Sequence, residues 1–263
     1  MSSAAPRPVA LITGVGRRIG IGAAIAVRLA RDGWDVGTTG WAPYDDRMPW
    51  GRDPDLTGSS TGGGDGSIAR AIRAEGARTV TIAADLVDVV AAAQIFDGTE
   101  ASLGPVTALV LCHCESVDSS LLDTTVESFD RHMAVNARAS WLLIAEYARR
   151  YRAADGAGRI IALTSDHTVG NLPYGASKGA LDRIVVAAAR ELADLRITAN
   201  VVNPGPVDTG WMTPEQLRVA AACSPRGRVG LPTDAAALVS FLCSADGGWI
   251  NGQLLHSDGG LHA

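Results

Sequence analysis

The sequence lacks the features that mark several classes of protein. Its formal net charge is −5, so it has no overall positive field for a phosphodiester backbone, and we expect no nucleic-acid partner. No uninterrupted apolar stretch approaches the ~20 residues that cross a bilayer, and the first residues lack the basic flank, apolar core and cleavage site of a secretory signal. We therefore expect a soluble, cytoplasmic protein with no membrane partner.

Cysteine is scarce. The four cysteines, Cys112, Cys114, Cys223 and Cys243, are too few and too unevenly spaced for a disulfide framework in a chain this long, so we expect reduced thiols. The run Cys112-His113-Cys114 could suggest a metal, but no second ligand pair stands at the spacing of a zinc site. We favour strand packing for this run and predict no metal site.

The composition that remains is typical of a globular protein. Of the 263 residues, 47% are apolar and 19% are charged, and we predict a single domain over residues 1–263. Short apolar runs alternate with segments of helical length and period, which predicts parallel strands joined by right-handed helical crossovers. The predicted strands are 8–13, 34–39, 79–83, 107–112, 159–164 and 198–203.

Helical periodicity separates these strands. The predicted helices are 19–30, 66–75, 87–102, 126–153, 174–195, 214–223 and 233–243, with Thr233 and Asp234 as capping residues of the last one. Residues 43–66 are rich in Gly, Ser and Asp without an apolar period, which predicts a long surface loop. The fold class is therefore α/β, a doubly wound parallel sheet flanked by helices on both faces.

Glycines cluster between the first strand and the first helix, at Gly14, Gly16 and Gly20. Glycine lets the backbone approach a pyrophosphate, and the following helix offers free amide groups and the positive end of its dipole. A tight structural turn would use the same residues. The position at a strand-to-helix turn nevertheless favours a dinucleotide site of the Rossmann type.

Charges near this turn bear on the choice of dinucleotide. An acidic residue after the second strand is typical of NAD binders, whereas a nearby arginine accommodates the extra phosphate of NADP. That strand is followed by Trp41, with Asp45 and Asp46 only later, while Arg17 and Arg18 lie in the turn itself. Both arginines could be solvated surface residues, but we predict NADP(H) as the cofactor in preference to NAD(H).

Tyr174 and Lys178 are four positions apart at the start of a predicted helix, which places the phenol and the ammonium on one helical face. A nearby cation favours the phenolate and is expected to lower the pKa of Tyr174. Tyr174 is then a candidate general acid in reduction and a general base in oxidation. The same pair also occurs by chance on ordinary helices.

With these residues in place, the chain resembles the short-chain dehydrogenase/reductase family along nearly its whole length. The matches occur in the family's order: Thr13-Gly14, Asp85-Leu86, Met133-Ala134-Val135-Asn136, Ser165, Tyr174 and Lys178, Asn203-Pro204-Gly205-Pro206-Val207-Asp208-Thr209, and Asp258-Gly259-Gly260. One match alone is weak evidence, whereas the ordered set is specific. Closer similarity is to a bacterial subgroup labelled 3-oxoacyl carrier-protein reductase-like, a generic label that does not prove a fatty-acid substrate.

The resemblance implies roles for the matching residues. Tyr174 would exchange the proton, Lys178 would bind the nicotinamide ribose, Ser165 would hydrogen-bond the substrate oxygen, and Asn136 would hold a relay water. The implied cofactor contacts are Gly14, Gly16, Arg17, Arg18, Ile19, Gly20, Asp85, Leu86, Tyr174, Lys178, Pro204, Gly205, Val207 and Thr209. Structural alternatives exist: Asn136 could kink a helix, Ser165 could end a strand, and Pro204-Gly205 could form an ordinary turn.

Three departures from the family pattern bear on the site. Five residues separate Gly14 from Gly20, more than is usual, so the pyrophosphate loop is expected to be reshaped. The Asn-Asn-Ala-Gly that usually follows the fourth strand is replaced by Leu111-Cys112-His113-Cys114. Ser165 precedes Tyr174 by only 9 positions, so the loop 166–173 is shorter than usual and the substrate pocket is expected to differ.

For the substrate pocket, we expect Asp166, His167 and Trp211 to face the substrate, together with Trp141, and residues 210–228 to form a lid. His167 could act on a substrate proton, or His167 and Asp166 could be ordinary polar residues at the pocket mouth. The apolar residues suit a moderately hydrophobic ketone or a polyketide-like molecule.

These observations predict an NADP(H)-dependent ketoreductase that interconverts a carbonyl and a secondary alcohol. The alternatives are an NAD-dependent alcohol dehydrogenase, a redox-neutral dehydratase, epimerase or cyclase of the same fold, and a catalytically silent nucleotide-binding protein. Helices 126–153 and 174–195 carry alanine-rich faces, and the equivalent helices of relatives pack subunits together. We therefore expect a homotetramer, or otherwise a dimer.

Overall fold

The computed structural model describes residues 6–48, 66–154 and 156–262. Within them, seven parallel strands form one sheet in the order β3-β2-β1-β4-β5-β6-β7. The strands are β1 (Val9–Ile12), β2 (Asp35–Gly40), β3 (Thr79–Ala83), β4 (Val106–Leu111), β5 (Arg159–Leu163), β6 (Thr198–Asn203) and β7 (Leu254–His256). The predicted α/β class with a doubly wound parallel sheet is confirmed.

Nine α-helices are described in these residues. They are α1 (Ile21–Arg31), α2 (Ala42–Asp45), α3 (Ser67–Ala74), α4 (Ala91–Leu103), α5 (Val126–His132), α6 (Ala139–Arg150), α7 (Leu172–Glu191), α8 (Pro214–Cys223) and α9 (Pro232–Cys243). A π-helical segment (Met133–Arg138) joins α5 to α6, and short 3-10 turns lie at Ala193–Leu195 and Asp246–Trp249. In the described part of the chain, no helix combines the length and the apolar character that a membrane crossing requires.

The central strands are buried and mostly apolar because helices cover both faces of the sheet. Every residue of β1, β4, β5 and β6 is buried. One face packs against α4, α6 and α7, with Phe96, Leu143 and Val185 in its core. The other face packs against α1, α3 and α9. The strand order reverses between β1 and β4, which opens a crevice at their carboxyl ends where ligands of such folds bind.

Several predicted boundaries differ from the structure. The predicted helix 126–153 is interrupted by the π-helical segment and ends at Arg150. The predicted helix 87–102 begins at Ala91, since the side chains of Asp85 and Asp88 accept hydrogen bonds from the backbone and stabilise turns before it. The last helix begins at Pro232, and Asp234 accepts from the Leu231 N–H, so Thr233 is not its cap.

Two elements were absent from the prediction. Helix α2 (Ala42–Asp45) overlaps the start of the predicted loop 43–66, of which residues 49–65 lie outside the described residues. Strand β7 has only three residues, and its apolar run is too short for a periodic signal.

Candidate active site

A cavity of about 820 Å³ lies at the carboxyl ends of the strands. Sixteen predicted site residues line it: Gly14, Gly16, Arg17, Gly20, Asp85, Leu86, Ser165, Asp166, His167, Tyr174, Lys178, Pro204, Gly205, Val207, Thr209 and Trp211. Arg18, Ile19, Asn136 and Trp141 are not among its lining residues. Four residues of the predicted lid, 210–228, line the cavity: Trp211, Met212, and Gln216 and Ala220 of α8.

The glycine turn packs closely on the end of β4. Gly14 has φ +71°, and a Cβ there would lie 2.5 Å from the backbone N of His113, so only glycine fits. A Cβ at Gly16 would collide with the carboxylate of Asp45. Helix α1 begins after Gly20, with no side-chain cap and no acidic residue in its first turn, and Ile21 and Gly22 line the cavity. Its first amide groups suit an anionic pyrophosphate.

Arg17 reaches from the glycine turn to the segment that follows β6. Its Nη1 donates to the backbone oxygen of Thr209 at 2.5 Å, and its guanidinium lies 5.5 Å from the centre of the Trp211 ring. Burial lowers the pKa of Arg17. This contact links the glycine turn to residues 204–209, which by the family resemblance would cover the nicotinamide.

Sequence reasoning missed a cluster of charged and aromatic side chains around Arg131, which also lines the cavity. Arg131 donates to Glu115 at 3.0 Å, contacts Asp85 at 3.5 Å, and lies 4.8 Å from the ring centre of Trp41. Asp45, which the sequence placed too late to follow the strand directly, is buried beside Gly16 and lines the same cavity. The polar and aromatic character of residues 41–47 could have indicated a site. Their contacts with Arg131 and Glu115 could not be predicted, because these residues are distant in the sequence.

Tyr174 and Lys178 both face the cavity from the first two turns of α7. Lys178 is the only lysine in the chain. Its Nζ donates to the Leu163 backbone oxygen at 2.8 Å and lies 5.7 Å from the Tyr174 ring centre. Burial lowers the pKa of Lys178.

The expected lowering of the Tyr174 pKa is not found. Burial raises the pKa of Tyr174, and a hydrogen bond with Ser165 opposes that shift only partly. The low-dielectric surroundings penalise the phenolate, while the Lys178 ammonium is directed to Leu163. The site therefore holds a neutral phenol, which is the form a proton donor requires.

Asn136 lies in the π-helical segment and is fully buried. Its Oδ1 accepts from the Glu115 N–H at 2.7 Å, and its Nδ2 donates to the Glu115 carbonyl at 2.9 Å and to Ser177 Oγ at 2.8 Å. These bonds brace the segment after β4 against α7. The water-holding role of Asn136 stays a prediction.

His113 ties together the elements around the substituted Asn-Asn-Ala-Gly position. Its Nδ1 lies 2.6 Å from Thr13 Oγ1 and its Nε2 lies 3.0 Å from the Val135 carbonyl. Burial lowers the pKa of His113 to about 3, so the ring is neutral. Cys112 and Cys114 follow β4 and line the cavity. Across the described residues, no group of three or more His, Cys, Asp or Glu side chains is placed to hold a metal ion.

Comparisons with known proteins agree with this geometry. Residues 59–262 match the family model described as enoyl-(acyl carrier protein) reductase. The chain is 35% identical over 258 residues to the uncharacterized oxidoreductase YjdA of Bacillus subtilis, covering 96% of each chain. It is 34% identical to the NADPH-dependent aldehyde reductase-like chloroplastic protein of Arabidopsis thaliana, covering 96% of this chain and 93% of that one. A short chain dehydrogenase from Burkholderia cenocepacia, solved in complex with NADP, superposes with a TM-score of 0.81 at 32% identity over 98% of both chains.

Proposed function

Because the chain belongs to the short-chain dehydrogenase/reductase family and is an oxidoreductase, we propose that it is an NADP(H)-dependent ketoreductase that interconverts a carbonyl and a secondary alcohol. The observation that carries the proposal is that Ser165, Tyr174 and Lys178 line one cavity, with Lys178 Nζ 5.7 Å from the centre of the Tyr174 ring. The resemblance to 3-oxoacyl carrier-protein reductases stays a prediction, as does the cytoplasmic location.

The residues present fit a nicotinamide dinucleotide. Gly16, Gly20 and Gly22 line the cavity at the uncapped start of α1, where the free amide groups suit a pyrophosphate. Asp85 and Leu86 also line the cavity and would contact the adenosine, while Val207 and Thr209 line it and would contact the nicotinamide. A bound NADPH would supply the hydride.

The chain's own residues supply the proton and the charge stabilisation. Tyr174 donates its phenolic proton to the substrate oxygen, and Ser165 donates a hydrogen bond to the same oxygen. Lys178 places a buried positive charge next to the phenol and stabilises the phenolate that forms. The neutral phenol of the free protein suits the direction of reduction.

The preference for NADP(H) is supported by two observations. The plant relative is NADPH-dependent by name, and the Burkholderia structure contains NADP. The guanidiniums of Arg17 and Arg131 line the cavity, and arginine accommodates the additional phosphate of NADP. Because Arg17 is directed to Thr209, we assign the additional phosphate of NADP to a position beside Arg131.

For the substrate, we propose a moderately hydrophobic ketone. Trp211, Met212, Val169 and Leu261 line the cavity near Ser165 and Tyr174. Asp166 and His167 remain candidates for substrate contacts, because both line the same cavity. We further propose that residues 1–263 form one domain and that the protein assembles as a homotetramer, or otherwise a dimer.

The proposal is tested by titrating the purified protein with NADPH and NADH in parallel, followed by a panel of ketones. NADPH should bind more tightly, and its absorbance at 340 nm should fall when a ketone is reduced. Product formation without NADPH consumption would indicate a redox-neutral enzyme instead. Failure of both nucleotides to bind would indicate that the altered turn and residues 111–114 have lost the dinucleotide site.

A further inference from the structure

His262 lies between two carboxylates at the substrate end of the cavity. Its Nδ1 is 2.5 Å from Asp258 Oδ2, and its Nε2 is hydrogen-bonded to Asp166 Oδ2. A neutral imidazole carries one N–H, so only the doubly protonated ring can donate to both carboxylates at once. We call these three side chains, Asp166, Asp258 and His262, the clasp.

One end of the clasp is anchored in the fold. The Asp258 side chain is buried, and its carboxylate also accepts from the backbone N–H groups of Gly260, Leu261 and His262. Asp258 packs against Gly205, where an added Cβ would lie 2.6 Å from the Asp258 Cβ. The turn that carries His262 is thereby attached to the segment expected to cover the nicotinamide.

The other end of the clasp, Asp166, belongs to the loop 166–173 between β5 and α7. Asp166 directly follows Ser165, and the Ser165 Oγ accepts from the His167 N–H at 3.1 Å. The Asp166 side chain is 58% exposed, so its position depends on its bonding partners. Leu261 and His262 line the same cavity as Ser165 and Tyr174. The clasp therefore joins two walls of the substrate end.

Charged and titratable groups surround the His262 ring from each neighbouring element. Besides the two carboxylates, His256 of β7 stacks on it at 4.6 Å, and the Arg226 stem packs on Gly259. The bonds to Asp258 and Asp166 raise the pKa of His262. Burial raises the pKa of Asp258 and Asp166, but their bonds to His262, together with backbone hydrogen bonds and a bond of Asp166 with Asn203, lower both pKa values overall.

We propose that His262 is a positioning residue of the substrate site, which closes the substrate end of the cavity by holding the 257–262 segment against the loop of Ser165 and Asp166. Loss of the second imidazole proton removes one of the two bonds and so weakens the link between the anchored segment and the loop. A folded-state pKa above the unfolded value means that the clasp is complete at low pH and is lost as pH rises through the folded pKa. The kinetic consequence rests on the proposed function, whereas the clasp itself does not.

The clasp is tested without turnover by NMR titration of the imidazole nitrogens and by hydrogen exchange. The His262 signals, assigned by their loss in His262→Gln, should titrate above the ordinary value of ~6.5 and shift downward in Asp258→Asn. Exchange of amides in 164–173 and 257–262, corrected for the intrinsic pH effect, should be faster at pH 9 than at pH 6, and equally fast at both in His262→Gln. A titration at or below the ordinary value, or unchanged exchange, would overturn the proposal.

The positioning role is tested by kinetics with NADPH and 9,10-phenanthrenequinone as the probe. We expect KM for the quinone to rise about twofold to fivefold from pH 6 to pH 9, the range of an exposed ion pair, and to be high at both pH values in His262→Gln. The NADPH Kd, measured by fluorescence, should not follow this pattern. Arg31→Gln, which removes an exposed ion pair with Glu75 and leaves the clasp intact, is the control and should retain the wild-type pH dependence. A wild-type KM that does not change with pH refutes the positioning role. Absence of any turnover refutes the proposed function, and the exchange data then still show whether the clasp forms.

Discussion

Asp45 and Arg131 place opposite charges beside the adenosine end of the cavity. The buried Asp45 carboxylate lies next to Gly16, and Arg131 is held by Glu115 and Asp85. A carboxylate repels an additional phosphate and accepts hydrogen bonds from ribose hydroxyls, whereas a guanidinium attracts the phosphate. We propose that the balance of the two sets the nucleotide preference.

Asp45→Asn is therefore expected to tighten NADPH binding about threefold to tenfold, the effect of roughly 1 kcal/mol of charge interaction, with NADH binding unchanged or weaker. Arg131→Gln should act in the opposite direction and weaken NADPH more than NADH. Fluorescence titration of both nucleotides measures the four constants. Arg18→Gln serves as the control because Arg18 does not line the cavity; a large effect there would place the phosphate at the glycine turn instead.

At the same scale, His113 makes stability depend on pH. Burial holds its pKa at about 3, below the unfolded value of ~6.5. A depressed folded pKa means that stability is complete above the unfolded value and is lost as pH falls toward the folded one. Between pH 7 and pH 5, the free energy of unfolding should fall by about 2 kcal/mol from this group.

Urea unfolding at pH 7, 6 and 5 checks this expectation. His113→Ala should be less stable at pH 7, because it loses the bonds to Thr13 and Val135, but its stability should fall less between pH 7 and pH 5. The exposed His167 provides the control, since His167→Ala should keep the wild-type slope. Equal slopes in wild type and His113→Ala would contradict the assignment of a neutral buried ring.

Among the elements, β5 and α9 are joined by a buried cation. Arg159 donates to the carbonyls of Leu242 and Ser244 at the end of α9 and to those of Gly156 and Gly158. The Leu242 and Ser244 carbonyls have no later helical N–H to accept from, so the guanidinium replaces a helix cap there.

Arg159→Met should therefore destabilise the fold by about 3 kcal/mol, the cost of leaving buried carbonyls without donors, and lower Tm by roughly 6–12 °C. Calorimetry measures the shift. Arg218→Met makes the same change on the exposed Arg218–Glu215 pair of α8 and should leave Tm nearly unchanged, because solvent screens an exposed ion pair. Similar losses in both variants would mean that the β5–α9 link carries no special stability.

The elements also show what sequence reasoning could and could not supply. The bounds of β3, β6 and α8 were predicted as the structure has them, because each is a clear run between turn residues. The π-helical segment at Asn136 leaves helical periodicity nearly unchanged, so it was merged with its neighbours. Tyr174 and Lys178 were recognised because a spacing of four residues is local. Arg17 to Thr209 and His262 to Asp166 are contacts between distant positions, and no local pattern signals them.

At the scale of the whole molecule, exposed apolar side chains mark the helices expected to pack subunits. Val126, Phe129 and Trp141 of α5 and α6 are all exposed, Trp141 by 53%. We propose that these side chains form part of a subunit interface.

Light scattering at micromolar concentration should give the mass of four chains, or otherwise two, and Trp141→Glu should shift the mass downward by burying a charge in the interface. Trp249 is 98% exposed and lies away from these helices, so Trp249→Glu is the matched control. A monomer mass for the wild type would reject the assembly.

The most direct test of the account compares the wild type with Tyr174→Phe, using Tyr151→Phe as a control in which the lost hydroxyl is bonded to Ala154 away from the cavity. NADPH binding is measured by fluorescence, and ketone reduction by NADPH consumption under saturating nucleotide. We predict that Tyr174→Phe binds NADPH with a Kd within about threefold of wild type but that its kcat falls on the order of 10²-fold or more. Tyr151→Phe should retain the wild-type turnover. Unchanged turnover in Tyr174→Phe would contradict the assignment of Tyr174 as the proton donor.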